Sequence, residues 1–183
     1  MKLLRPSADN LHLYVSALKR ELAEGFETFH NAQEILEAAE KNPEELIANY
    51  NDLVGGRLIT VDGGVERVAL PSITRWAYDG EVCGTIQFRW TPSSVALPPY
   101  CMGHIGYQIF PWKRSMGYGK LQLELILQEI KGFDMPHVDL TTKLDNYASQ
   151  NVIKANGGIF VKQFERATEY GGGEFNLYRI FLS

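Results

Sequence analysis

The chain has 183 residues, 45% of them hydrophobic and 22% charged, with a formal net charge of −4 at pH 7. That length suits one domain over 1–183 with a sizeable core, and that composition excludes a fibrous or disordered chain. Its apolar runs fall short of a membrane span, MKLLRPSADN lacks the apolar region of a signal peptide, and a basic nucleic-acid footprint is absent, so neither membrane nor nucleic acid is an expected partner.

Taken from the N-terminus, Lys2 to Arg5 reads as a short strand stopped by Pro6. Ser7 or Asp9 can cap a helix that turns Leu11, Leu13, Tyr14, Leu18 and Leu22 towards a core, with Gly25 and the His30-Asn31 region interrupting it. Ala32 to Lys41 and Pro43 to Leu53 read as further helices, the second with proline early and Gly55-Gly56 beyond its end. Segment 57–66 carries a turn signal at Asp62-Gly63-Gly64. Val68 to Tyr78 and Glu81 to Trp90 read as strands around Asp79-Gly80, the strongest hairpin signal in the chain. A loop, Pro92 to Pro99, leads to a strand over 104–110 and a helix over about 117–131. His137 to Thr142 is then a buried strand and Asn146 to Asn156 a short helix. Ile159 to Thr168 and Glu174 to Leu182 close the chain as a β pair around Gly171-Gly172-Gly173.

Charge is unevenly placed: residues 1–66 hold 12 acidic and 6 basic side chains, and residues 67–183 hold 10 acidic and 12 basic. The first part is a solvated helical face or a region that attracts a cationic amine. Cys83 and Cys101 form no metal or redox spacing, and His12, His30, His104 and His137 are scattered. No metal is expected, and a reducing cytoplasm is the simplest location.

The most informative stretch is Pro111 to Gly119, PWKRSMGYG, between the strand and the helix. A basic turn with glycines, placed at a helix start, offers backbone N–H groups that no intrahelical carbonyl reaches, together with the positive end of the helix dipole. Those features suit a phosphate. Gly117 and Gly119 permit close approach, and Lys113, Arg114 and Lys120 supply charge. No G-x-x-x-x-G-K-[ST] string occurs, and Gln122 stands where the dinucleotide fingerprint needs its third glycine.

What fits is R-x-x-G-x-G, from Arg114 to Gly119, which resembles the pyrophosphate loop of the GNAT superfamily of acyl-CoA-dependent N-acetyltransferases. A second stretch, DNYASQNVIKANGG from Asp145 to Gly158, resembles that family's N-x-x-[AS]-x-x-[LV]-x-x-x-x-G pattern. Together the two strings look like a bacterial subgroup of predicted acetyltransferases. The likeness covers about residues 68–182, and the N-terminal part by element order.

The resemblance implies an α/β (α+β) fold: a mixed, mostly antiparallel central sheet flanked by helices, with a V-shaped splay between the fourth and fifth strands, here 104–110 and 137–142. It implies acetyl-CoA as co-substrate, held by Ile109, Phe110, Arg114, Ser115, Met116, Gly117, Tyr118, Gly119, Lys120, Asn146 and Ser149. The acceptor would be an amine on a small molecule or peptide, acetylated by direct transfer with no acyl-enzyme. Many members place a tyrosine acid seven residues after the motif asparagine; here that position is Ile153. His104 is the candidate base, because an imidazole titrates in a suitable range and stands near the start of the lining strand. A structural role for its ring, a non-catalytic acyl-CoA sensor, and a scaffold whose turn binds another phosphate ligand are the competing readings. Exposed β edges near the C-terminus leave room for a homodimer.

Overall fold

A computed structural model describes residues 1–26, 32–61 and 64–182. In chain order it contains β1 (Lys2–Leu4), α1 (Leu11–Ala23), α2 (Ala32–Lys41), α3 (Pro43–Asn49), β2 (Leu58–Val61), β3 (Val65–Val68), β4 (Ser72–Tyr78) and β5 (Val82–Arg89). Then come β6 (Ile105–Ile109), α4 (Tyr118–Glu129), β7 (His137–Lys143), α5 (Tyr147–Ala155), β8 (Ile159–Glu165) and β9 (Glu174–Phe181). The strands form an antiparallel sheet β1-β4-β5-β6, a hairpin β2-β3 and an antiparallel sheet β7-β9-β8. No described helix is long and apolar enough to cross a membrane.

Strand alternation explains the two cores. On one face of the first sheet, Ile73, Ile86, Phe88 and Ile105 meet Leu123, Ile126 and Ile130 of α4, and the cluster runs on into Val138, Leu140, Ile153, Tyr178 and Ile180 of the second sheet. On the other face, Trp76, Val82 and the adjoining Phe110 meet Tyr14, Leu18 and Leu36 of α1 and α2. Tyr14 stacks on Trp76 with ring centroids 4.7 Å apart. Each such buried aromatic contributes roughly 1.5–3 kcal/mol. Arg75 of β4 reaches Glu129 at the end of α4, Nε to Oε1 2.9 Å, and clamps helix to sheet.

Several local expectations are corrected. Neither Ser7 nor Asp9 caps α1: Asn10 is the N-cap residue and makes no side-chain cap bond. Its Oδ1 instead accepts the Ser7 N–H at 2.9 Å. Leu22 is 39% exposed, and Glu21 takes the inward position at 3%. The helix from Pro43 stops at Asn49, because the carbonyls of Tyr50 and Asp52 accept the Thr74 and Ser72 amides of β4. The strand expected over Val68 to Tyr78 breaks between β3 and β4 at Ala69–Pro71, where proline brings no N–H to a ladder. Leu58–Val61 and Val65–Val68 pair as a hairpin, and the turn expected at Asp62-Gly63, like the His30-Asn31 region, lies outside the described residues.

Candidate active site

Among the described residues the backbones of the two sheets are joined by hydrogen bonds at one point. The His104 N–H donates to the Asp139 carbonyl at 2.7 Å, and the Asp139 N–H donates to His104 Nδ1 at 2.9 Å. Beyond it, β6 and β7 share no ladder, although α4 packs on the first sheet and α5 on α4. This is the splay implied by the resemblance, with His104 at its apex.

Register decides which backbone groups face the gap. The Phe110 N–H donates to the Cys83 carbonyl and the Arg89 N–H to the His104 carbonyl, both at 2.9 Å. In an antiparallel ladder the even residues of β6 therefore serve β5, and the N–H and C=O groups of Ile105, Tyr107 and Ile109 lie on the open edge. Ile109 lies on that open edge, its carbonyl accepting Arg114 Nε at 3.2 Å. Phe110 does not: its N–H serves Cys83, its carbonyl accepts the Lys113 N–H, and its ring is buried against Trp112. It supports the loop from behind.

After β6 a single turn of 3-10 helix, Pro111–Lys113, leads to Arg114, Ser115 and Met116, all exposed. Ser115 has φ +61° and Gly117 φ +78°. This double left-handed kink turns the chain into α4, and Gly117 is its N-cap residue with no side chain to offer. Helices α3 and α5 are capped by Asn42 and Asn146. The N–H groups of Tyr118, Gly119 and Lys120 meet no such cap, and intrahelical bonding resumes at Leu121, which donates to the Gly117 carbonyl at 3.2 Å.

The two glycines do different work. A Cβ on Gly117 would meet nothing within 4 Å, so the residue keeps a left-handed backbone and open space beside the amides. A Cβ on Gly119 would come 3.2 Å from Val152 Cγ2, so here the missing side chain lets α4 lie close to α5. The Asn156 amide, donating to the carbonyls of Lys120 at 3.2 Å and Val152 at 2.9 Å, holds the two helices in that position.

Lys113 is committed elsewhere. Its Nζ donates to Asp79 Oδ2 at 2.8 Å and pairs with Glu81 at 2.8 Å across the β4-β5 turn. The Tyr118 hydroxyl donates to the same Asp79 oxygen at 2.7 Å. Burial pushes the Asp79 carboxyl up, but hydrogen bonds from Lys113 and Tyr118 outweigh it and hold the group well below the usual carboxylate range. Of the three expected cations, Arg114 and Lys120 stay exposed at the turn. The Asp79 cluster joins residues 34 and 39 positions apart, and sequence reading did not find it.

His104 is 1% exposed. Because Nδ1 accepts from Asp139, the proton sits on Nε2 and is donated to the Val95 carbonyl at 3.1 Å. Burial lowers its pKa, and Asp139 only partly offsets this. With both nitrogens engaged, the ring pins the apex and has no free position for an acceptor's proton. Asn146 Oδ1 accepts the Ser149 N–H at 3.0 Å and so starts α5. Ser149 Oγ lies 3.0 Å from the Tyr107 hydroxyl, linking β6 to that first turn. Burial pushes the Tyr107 phenol up to about 12. Ile153 is fully buried in the core, so the position seven residues past Asn146 offers no proton. Nothing local in the sequence distinguishes Tyr107 from a core or wall residue; its partner Ser149 lies 42 residues away.

A family model described as the Acetyltransferase (GNAT) family matches residues 21–157. No curated protein matches the chain. Among solved structures it resembles the microcin C7 self-immunity acetyltransferase MccE in complex with acetyl-CoA and AMP, at 12% identity, 98% of this chain, 91% of that one and a TM-score of 0.61. It also resembles RimL, a ribosomal L7/L12 α-N-protein acetyltransferase in complex with coenzyme A, at 13% identity, 98% and 93% coverage and a TM-score of 0.61. Mycobacterium smegmatis RimJ in complex with CoA-disulfide matches at 13% identity, 98% and 80% coverage and a TM-score of 0.65. At such identities these likenesses speak for the fold.

Proposed function

The chain belongs to the GNAT family of acyl-CoA-dependent acetyltransferases, and from that premise we propose that it transfers an acetyl group from acetyl-CoA directly to an amine of a small molecule or peptide. The observation that carries this reading is the uncapped N-terminus of α4, set beside the open edge of β6. The amides of residues 118–120, with Arg114, Ser115, Met116, Gly117 and Lys120 around them, suit a pyrophosphate. The edge groups of Tyr107 and Ile109 suit the amides of a pantetheine arm, and Asn146 and Ser149 start α5, with Ser149 Oγ 3.0 Å from the Tyr107 hydroxyl. The residues present fit the co-substrate.

Acetyl-CoA supplies the activated acyl carbon: the acceptor nitrogen gains it and loses a proton, and the thiol leaves. An N–H on the free edge of β6 is suited to polarise the carbonyl oxygen. With His104 pinned and Ile153 in the core, neither proton is handled by the expected side chain. Solvent water then takes the proton of the acceptor ammonium, and the Tyr107–Ser149 hydroxyl pair donates to the departing sulfur. Burial pushes the Tyr107 phenol up to about 12, so it is protonated at neutral pH and can donate a hydrogen bond to the departing sulfur. The edge strand β8, with Ile159, Phe160 and Val161 exposed, is the surface we assign to a homodimer.

The test is thiol release from acetyl-CoA with a panel of primary amines. Amine-dependent release supports the enzyme. Binding of acetyl-CoA with no release for any amine supports the sensor reading, which the buried Ile153 favours. Tyr107→Phe should lower kcat with little change in KM for acetyl-CoA.

A further inference from the structure

On the face of the first sheet away from α4, a cavity of about 110 Å³ opens between the hairpin β2-β3 and the middle of the sheet. Its lining includes Arg57, Ser72, Gln87, Arg89, Tyr100 and Cys101, and no carboxylate among the described residues. Most of its polar groups are already engaged. The Tyr100 hydroxyl donates to the Val68 carbonyl at 2.8 Å, and Gln87 Nε2 donates to Ser72 Oγ at 3.4 Å. Arg57 has Asp52 at 3.6 Å.

Arg89 differs from these. Its Nε is buried with no hydrogen-bond partner, and among the described residues its guanidinium makes no ion pair. Its Nη2 lies over Gly106 of β6, 2.6 Å from where a Cβ would stand. Arg89 is half-buried, a buried Nε without a partner is costly, and five donors in a rigid fork match an oxyanion. Gly106 lies between Ile105 and Tyr107, the residues whose backbone groups face the gap, so a group held by Arg89 sits beside the reaction edge on the face opposite α4.

We propose that this cavity selects the acceptor, and that Arg89 binds a carboxylate carried by the same molecule as the amine. The inference rests on the transferase reading above and names its substrate class: amino acids or peptides with a free carboxylate near the amine. The charge count chooses between anions. Asp52 already faces Arg57, which leaves one uncompensated positive charge among the described lining residues. A carboxylate supplies one negative charge, whereas a phosphate monoester carries about 1.5 to 2.

The experiment uses the full chain with acetyl-CoA and a graded series: glycine, β-alanine, 4-aminobutyrate and 6-aminohexanoate, each with its carboxamide and its phosphonate counterpart. Thiol release is read for wild type, Arg89→Lys and Arg89→Met, and acetyl-CoA binding checks that each variant is folded. The expected result is kcat/KM about 10- to 100-fold higher for at least one acid than for its amide. That ratio should fall to about one in Arg89→Met and stay reduced in Arg89→Lys, which keeps the charge without the fork. Equal rates for acid and amide, or an acid preference that survives Arg89→Met, overturn the proposal. A preference for phosphonates overturns the carboxylate assignment. If no member is acetylated, calorimetry with the same acids and amides in the presence of CoA decides. Heat from an acid with wild type but not with Arg89→Met upholds the site while the transfer reading fails, and no heat from any acid removes the site.

Discussion

A buried imidazole that accepts one backbone N–H and donates to one carbonyl is stable only as the neutral ring. His104 is held in that state, with a folded pKa below its unfolded value of about 6.5. As pH falls, the unfolded chain takes up the proton first, so stability is complete above about 6.5 and declines from there towards the folded pKa. His137 is lowered too, by burial and then by Arg179, and adds to the loss in the same window. Melting temperature should therefore fall between pH 7 and pH 5, and His104→Gln should be less stable at pH 7 but lose less across that interval. A variant with the full wild-type loss would show that the imidazole is not its source. Catalysis gives a second check. Were His104 the base, His104→Gln would cost about 10²–10⁴-fold in rate. Here kcat/KM should rise with pH through the ionisation of the amine, shift when an amine of different pKa is used, and keep that dependence in the variant. Gly117 offers a residue-scale test of the loop. Gly117→Ala should cost about 1 kcal/mol by chemical denaturation, the penalty of a Cβ at φ +78°. Gly117→Asn, a residue that accepts the left-handed region, should keep the fold and lose acetyl-CoA affinity by filling the open space.

At the scale of elements, the strand–turn–helix unit works because a distant hairpin braces it. Lys113 and Tyr118 flank the kink at Ser115 and Gly117, and both are held by Asp79. Lys113→Met should weaken acetyl-CoA binding by about fivefold, the worth of one ordinary hydrogen bond, by loosening the kink. If affinity is unchanged, the Asp79 cluster is not what orders the turn. The elements themselves were largely legible. Asp79-Gly80 marked its hairpin, the apolar spacing of 121–130 marked α4, and R-x-x-G-x-G marked the kink. Less legible was what each polar side chain would meet. Lys113 reads as a free cation because Asp79 is far away in the sequence, and nothing local reveals that Gly119 also lets α4 lie close to Val152 of α5. The break at Ala69–Pro71 needed more weight on Pro71 within an otherwise continuous β-former run.

Over the whole molecule, two antiparallel sheets touch at His104 and Asp139 and open beyond them, with the uncapped start of α4 near the mouth. Periodicity yielded the elements and the family resemblance implied the layers and the splay, but neither revealed the apex, because a lone histidine can serve as pin or base, and only its two partners distinguish these. The polar cavity around Arg89 was equally hidden, being assembled from β4, β5, the β2-β3 hairpin and the loop before His104. The most direct test of the account is a calorimetric titration of acetyl-CoA into wild type and Gly117→Asn. Wild type should show saturable binding at one site, with a stabilisation of about 2.7 kcal/mol at 100 times the dissociation constant, and a folded Gly117→Asn should lose it. No heat of binding at millimolar acetyl-CoA, or equal affinity in the variant, would contradict it.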